Sequence, residues 1–142
     1  MHITPHIVVR GAVEAAAFYA RAFGAEEVSR VPVPGGRVMS LELRIGDATV
    51  MLADEFPEMG VLSPLSLGGT AVVLQVQTAD ADALWARAVA AGATVLQPLR
   101  DAFWGERHGQ LSDPFGHKWG IAQHVRDVPH AEVVAAAAAL FS

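Results

Sequence analysis

Residues 103–124 read Phe-Trp-Gly-Glu-Arg-His-Gly-Gln-Leu-Ser-Asp-Pro-Phe-Gly-His-Lys-Trp-Gly-Ile-Ala-Gln-His, two extended runs about the turn Asp113-Pro114-Phe115-Gly116. Pro114 presets φ for a turn position and Gly116 can supply a positive φ, so the stretch predicts a β-hairpin. Its arms carry two of the three tryptophans, three of the six histidines and the triplet Glu106-Arg107-His108. With regular pairing Trp104, Glu106, His108 and Gln110 share one face of the first arm, and Arg107 and Leu111 take the other. Gly105 and Gly109 would allow bulges there.

Working back from the hairpin, the same kind of unit occurs twice. Ile3 to Val9 is rich in β-branched residues and predicts a strand, and Ala12 to Phe23 predicts a helix closed by Gly24. Strands follow at 26–32 and 37–46, where Met39, Leu41, Leu43 and Ile45 alternate with Ser40, Glu42 and Arg44, and then at Thr49–Ala53. Residues 54–69, with two prolines and three glycines, predict a linker. Beyond it come a strand over Thr70–Gln77, a helix capped by Thr78 or Asp80 and running through Ala91, strands near 94–98 and 104–112, and the last arm, Lys118–His124. Phe18-Tyr19-Ala20-Arg21-Ala22-Phe23, followed by Gly24-Ala25, parallels Leu84-Trp85-Ala86-Arg87-Ala88-Val89, which has two extra residues before Gly92-Ala93. Matching order and matching helices predict an internal duplication. After Asp127 and Pro129 an apolar helical tail, Ala131 to Phe141, needs a surface to cover.

Composition sets outer bounds. A chain of 142 residues with 52% hydrophobic residues predicts one folded domain over 1–142. No apolar run approaches the roughly 20 residues that span a bilayer. The first residues lack the basic and apolar regions of a signal peptide, so cytoplasmic residence is expected. There is no cysteine, which removes thiolate ligands and thiol nucleophiles, and a net charge of -5 argues against nucleic acid or anionic membrane as a partner.

Two βαβββ modules (about 3–53 and 70–124), the Phe-Tyr-x-x-x-Phe-Gly-Ala helix and the Asp-Pro-x-Gly-x-x-Trp hairpin resemble the vicinal oxygen chelate superfamily. This is the group of glyoxalase I, extradiol dioxygenases and bleomycin-resistance proteins. Phe-Trp-Gly-Glu-Arg and Asp-Pro-Phe-Gly-His-Lys-Trp look most similar to its glyoxalase/bleomycin-resistance, PhnB-like branch. The resemblance implies an α+β fold, the two tandem modules forming a curved, half-barrel mixed sheet around a cavity, with the tail 125–142 outside it. It also implies a homodimer.

Metalloenzymes of that superfamily carry ligands on the first and last strands of each module. By the resemblance these positions fall on Thr4, Met51, Ala71 and Gly120. None is a side-chain donor for a divalent metal, which wants imidazole or carboxylate. No metal and no other cofactor is therefore expected, although a shifted set of His6, Glu42 and His108 could serve a metal-dependent lyase or dioxygenase. Gly120 and Ala71 would leave voids, and Met51 a soft apolar surface, which suits an organic molecule.

Each candidate also has a plain structural reading. His6 either enters the cavity or is a bonded, partly buried histidine; Glu42 is either a cavity acid or pairs with Arg44. Trp104 is a stacking platform or a core anchor, and Glu106 a site group or the ion-pair partner of Arg107. Trp119 and Ile121 read as core. No serine has a nucleophile elbow, and no catalytic residue is assigned. The sequence thus predicts a metal-independent protein that binds a small organic molecule, aromatic or antibiotic-like, through His6, Ser40, Glu42, Met51, Trp104, Glu106, His108 and Gly120. A metal enzyme and a purely structural interaction module are the rivals.

Overall fold

A computed structural model describes residues 1–142. The elements follow in the order β1 (His6–Val9), α1 (Ala12–Phe23), β2 (Glu26–Pro32), β3 (Val38–Ile45), β4 (Ala48–Asp54), α2 (Pro64–Leu67), β5 (Val73–Gln77), α3 (Ala81–Ala91), β6 (Thr94–Asp101), β7 (Glu106–Ser112), β8 (Lys118–His124) and α4 (His130–Leu140). The fold is α+β, as expected. The strands form two open, curved, four-stranded sheets of matching order, β1-β4-β3-β2 and β5-β8-β7-β6. In each sheet the first and last strands of the module run parallel and the other pairs are antiparallel.

The duplication is exact enough to fix equivalences. His6 pairs with Met51 as Gln75 pairs with Gly120, and α1 begins at Ala12 as α3 begins at Ala81. One constant offset relates all of these. It corrects the helix match read from the sequence, which is displaced by three residues. A slip of nearly one turn keeps the same faces in line, so the false match looked convincing.

The core centres on α1. Ala12, Ala15, Ala16, Phe18, Tyr19, Ala22 and Phe23 are all buried, whereas α3 buries only Ala81 and Ala88. Four alanines let α1 approach the sheet of its own module closely, while its aromatic residues reach the second module. There Tyr19 and Phe23 meet Trp119, with ring centroids 5.3 and 4.6 Å away. Trp119, Ile121, Leu111 and Phe115 complete the cluster, so Trp119 and Ile121 are core, as expected.

Polar bonds join the modules as well. Tyr19 Oη and Trp119 Nε1 both donate to Asp113 Oδ2, at 2.5 and 2.9 Å. Asp113 Oδ1 accepts the N–H groups of Phe115 and His117, so one buried carboxylate builds the turn and anchors α1. Burial, and after it the charge of Asp113, push the Tyr19 hydroxyl far above its ordinary pKa, so it stays a donor. His117 Nε2 donates to the Val8 carbonyl at 2.7 Å, and Arg87 donates to the carbonyls of Ala20 and Arg21 at the end of α1.

The segment expected as a linker, residues 54–69, carries short helical turns and is largely exposed. It holds a 3₁₀ turn, Pro57–Met59, and the single turn α2. Glu55 ties it down: its Oε1 accepts the Ser63 N–H, the Ser63 hydroxyl and the Ser66 hydroxyl, and Arg10 stands 3.6 Å from Oε2. These bonds, those from the serine hydroxyls first, hold the Glu55 carboxyl down at about 2 instead of 4.5. A depressed carboxyl stabilises the fold above its unfolded pKa, and that contribution fades as pH falls through the folded one. The stability advantage of wild type over Glu55→Gln is therefore full above about pH 4.5 and shrinks toward pH 2. Thermal melts of the two proteins across that range test this; a pH-independent difference would refute it.

At the other end of the chain, α4 buries no residue, and Val134, Leu140 and Phe141 are exposed. No helix of the structure is long and apolar enough to cross a membrane.

Candidate functional site

Each sheet has one face on the helices and one open face. On the open face of the first sheet the strand register sets His6, Met51, Glu42 and Ser29 side by side across all four strands. Ser40 lies on the same face, one pleat along. Glu42 forms no ion pair with Arg44, contrary to one of the two readings above: Arg44 sits opposite Glu26 and Thr49. On the second sheet the matching row is Gln75, Gly120, Gln110 and Gln97.

Four side chains gather beside that second row. Trp104 Nε1 donates to Glu106 Oε1 at 2.7 Å, and Gln77 Nε2 donates to Glu106 Oε2 at 3.0 Å. The Trp104 ring stands edge-on to His108, 5.5 Å between centroids, and edge-on to Phe103 at 5.0 Å. Glu106 therefore holds the indole by its N–H and is not the partner of Arg107, which pairs with Asp82 and Asp101. Trp104 itself is half-buried and precedes β7 rather than lying in it.

The glycines explain how that wall is placed. Pairing of β7 with β8 is unbroken from Glu106 to Ser112, whereas on the other edge of β7 the register against β6 shifts twice, between Val95 and Gln97 and, opposite Gly109, between Gln97 and Arg100. Gly105 has φ +99° and a Cβ there would stand 2.3 Å from the Arg126 carbonyl, whose chain bonds back to Gly105. Gly109 admits the Trp85 ring, which a Cβ would meet at 2.5 Å. Gly120 is not the void the sequence suggested. A Cβ there would lie 3.2 Å from Gln75 Oε1 and 3.5 Å from His108 Nε2, so those two side chains already occupy the space.

Of the four positions implied by the resemblance, only Met51 and Gly120 lie in strands. Thr4 and Ala71 precede β1 and β5. The residues beside Met51 and Gly120 are His6 and Gln75, because the inward set Ile7, Val9, Leu52 fixes the register of the parallel pair. His6 and Glu42 flank Met51, while His108 belongs to the other sheet, and no three His, Asp or Glu side chains converge. The shifted set is not assembled within the chain.

Gln75 and Gln77 were missed as site residues, although the alternation Val73-Leu74-Gln75-Val76-Gln77 places both on the open face. Chemically the wall offers aromatic surface, amides and one imidazole. That set suits stacking and directed hydrogen bonding. No serine or other nucleophile is paired with a base in it.

Comparison with known proteins agrees with this architecture. The model of the Glyoxalase/Bleomycin resistance protein/Dioxygenase superfamily matches residues 1–121. The Mycobacterium tuberculosis protein Rv0887c is 46% identical over 137 residues, covering 94% of this chain and 81% of that protein. TioX from Micromonospora sp. ML1 superposes with a TM-score of 0.69 at 28% identity, covering 88% of this chain and 99% of TioX. TnmS3, an antibiotic binding protein from Streptomyces sp. CB03234, does so with 0.60 at 25% identity, covering 87% and 97%.

Proposed function

Because the chain belongs to the glyoxalase/bleomycin resistance protein/dioxygenase superfamily, we propose that it binds a small organic molecule without a metal, as a cytoplasmic homodimer. The observation that carries this reading is the assembled wall of Trp104, Glu106, His108 and Gln77, with Gln75 beside it on the same open face. His6, Ser40, Glu42 and Met51 of the first sheet form a second polar and thioether surface. The fold shared with an antibiotic binding protein supports the same class of ligand.

The superfamily's metal fits poorly. At the two strand pairs where donors are wanted stand His6 with Met51 and Gln75 with Gly120, a single imidazole among thioether, amide and hydrogen. Dimerisation is supported by what one chain leaves open. Neither open face is covered, and α4 presents apolar residues to no surface of its own chain.

Native mass spectrometry of the purified protein reports ligand, metal and oligomer together. A dimer carrying an organic mass is the expected result, and one tightly bound divalent metal per subunit would overturn the reading. Trp104→Ala should weaken binding of that molecule, or of a hit from a panel of aromatic antibiotics, about 30-fold, near 2 kcal/mol. Titration calorimetry measures it.

A further inference from the structure

A concavity lies on the first module, and none of the residues assigned above builds it. It is a depression of about 500 Å³ between the turn joining β2 to β3, the open face of β3 and β4, and the start of the 54–69 segment. Val33, Pro34, Met39, Ala53, Phe56 and Met59 form most of its wall. That volume lies within the range of about 300–1,000 Å³ typical of small-molecule sites.

Met39 is there because of a bulge. The sequence places it on the buried face with Leu41 and Leu43, but the pairing jumps from Val31↔Ser40 to Pro32↔Val38 and leaves Met39 as the extra residue. Val38 turns inward at 2% exposure with its N–H on Asp54, and Met39 turns outward at 54%. Met59 is 75% exposed. Two thioethers and the Phe56 ring thus face water around one hollow, an arrangement that costs free energy unless something covers them.

The charges at the hollow cancel. Arg37 lies over the Phe56 ring, 4.2 Å from its centroid, and makes two bonds to Glu58 at 2.8 and 3.0 Å. A bidentate pair of this kind leaves no free charge to attract an ionic ligand. Soft, mobile thioethers beside an aromatic ring suit a flat polarizable surface.

We propose that this depression binds the planar, uncharged, fused-ring portion of an organic molecule. The proposal rests on the ligand-binding reading above and adds the chemical class that reading lacks. The test uses full-length protein labelled with methyl-¹³C methionine, whose residues are Met1, Met39, Met51 and Met59, and N-phenyl-1-naphthylamine as a neutral probe that carries a planar fused naphthalene ring. Met39 and Met59 methyl signals should shift on addition of the dye while dye emission rises. Met39→Lys, a change at an exposed side chain, should abolish the Met59 shift and the rise in dye emission, and Ala53→Phe, which fills the hollow, should weaken binding at least tenfold. A shift of Met51 alone would overturn the proposal and leave ligand binding elsewhere on the open face intact. Silence from every methyl, with no antibiotic of the panel altering tryptophan emission, would remove both readings. Signals of Met39 and Met59 that follow protein concentration and ignore the dye would assign the hollow to a second copy of the chain, and so overturn the proposal.

Discussion

Asp113→Ala is expected to cost about 4 kcal/mol of unfolding free energy. The carboxylate is 6% exposed and accepts four bonds, from Tyr19, Trp119 and the N–H groups of Phe115 and His117. Removing it strands two buried side-chain donors and unties the turn that carries Trp119. Leaving a buried donor without its acceptor costs about 1–3 kcal/mol, and the turn amides recover part of their loss from water. Tyr19→Phe removes one donor and leaves the other three in place, so about 1 kcal/mol is expected for it. Urea denaturation of both variants, with the slope checked for two-state behaviour, gives the comparison. Equal losses for the two would mean that Asp113 does not organise the junction.

Asp54→Ala should cost about 3 kcal/mol, and for a related reason. Asp54 Oδ1 accepts the N–H of Ala12 at 2.7 Å and of Gly11 at 3.2 Å, and Oδ2 accepts the N–H of Val38 at 2.6 Å. Gly11 provides no side-chain cap, so the first turn of α1 is closed by a carboxylate from β4, where its charge also opposes the helix dipole. The same residue secures the bulge that turns Met39 outward. Hydrogen exchange reads both effects at once: the Ala12 and Val38 amides should lose protection in the variant ahead of the rest of the chain. Unchanged protection at those two amides would contradict the assignment. The second module repeats the device with a neutral group, Gln123 Oε1 accepting the Ala81 N–H, and adds Asp80 as a local cap.

Part of the candidate site could be read from the chain alone. Trp104, Glu106 and His108 share a face in a two-residue rhythm, and the structure gathers them through the Glu106 bond to the indole. Their partners could not be read in the same way. Gln77 is remote in sequence and arrives only because β5 pairs with β8, beside β7. The reading of Glu106 as the ion-pair partner of Arg107 fails because neighbours in a strand point to opposite sides. Met39 escaped for a different reason: a bulge reverses the alternation on which strand reading depends, and no single residue announces it.

Local chemistry determined the elements. Apolar periodicity placed β3, α1 and β8, glycines closed α1 and α3, and Asp-Pro-Phe-Gly made the last hairpin, because each of these signals acts over a few residues. Repetition of the βαβββ order was enough to indicate a duplicated α+β fold. Only the tertiary structure decided register and junction. Which residue stands beside Met51 or Gly120, which carboxylate caps α1, and how Asp113 holds two modules together all depend on atoms far apart in the chain. Asp113 looks like a turn residue in the sequence and is one. Its second task, accepting the hydroxyl of Tyr19, exists only once α1 has packed against the hairpin.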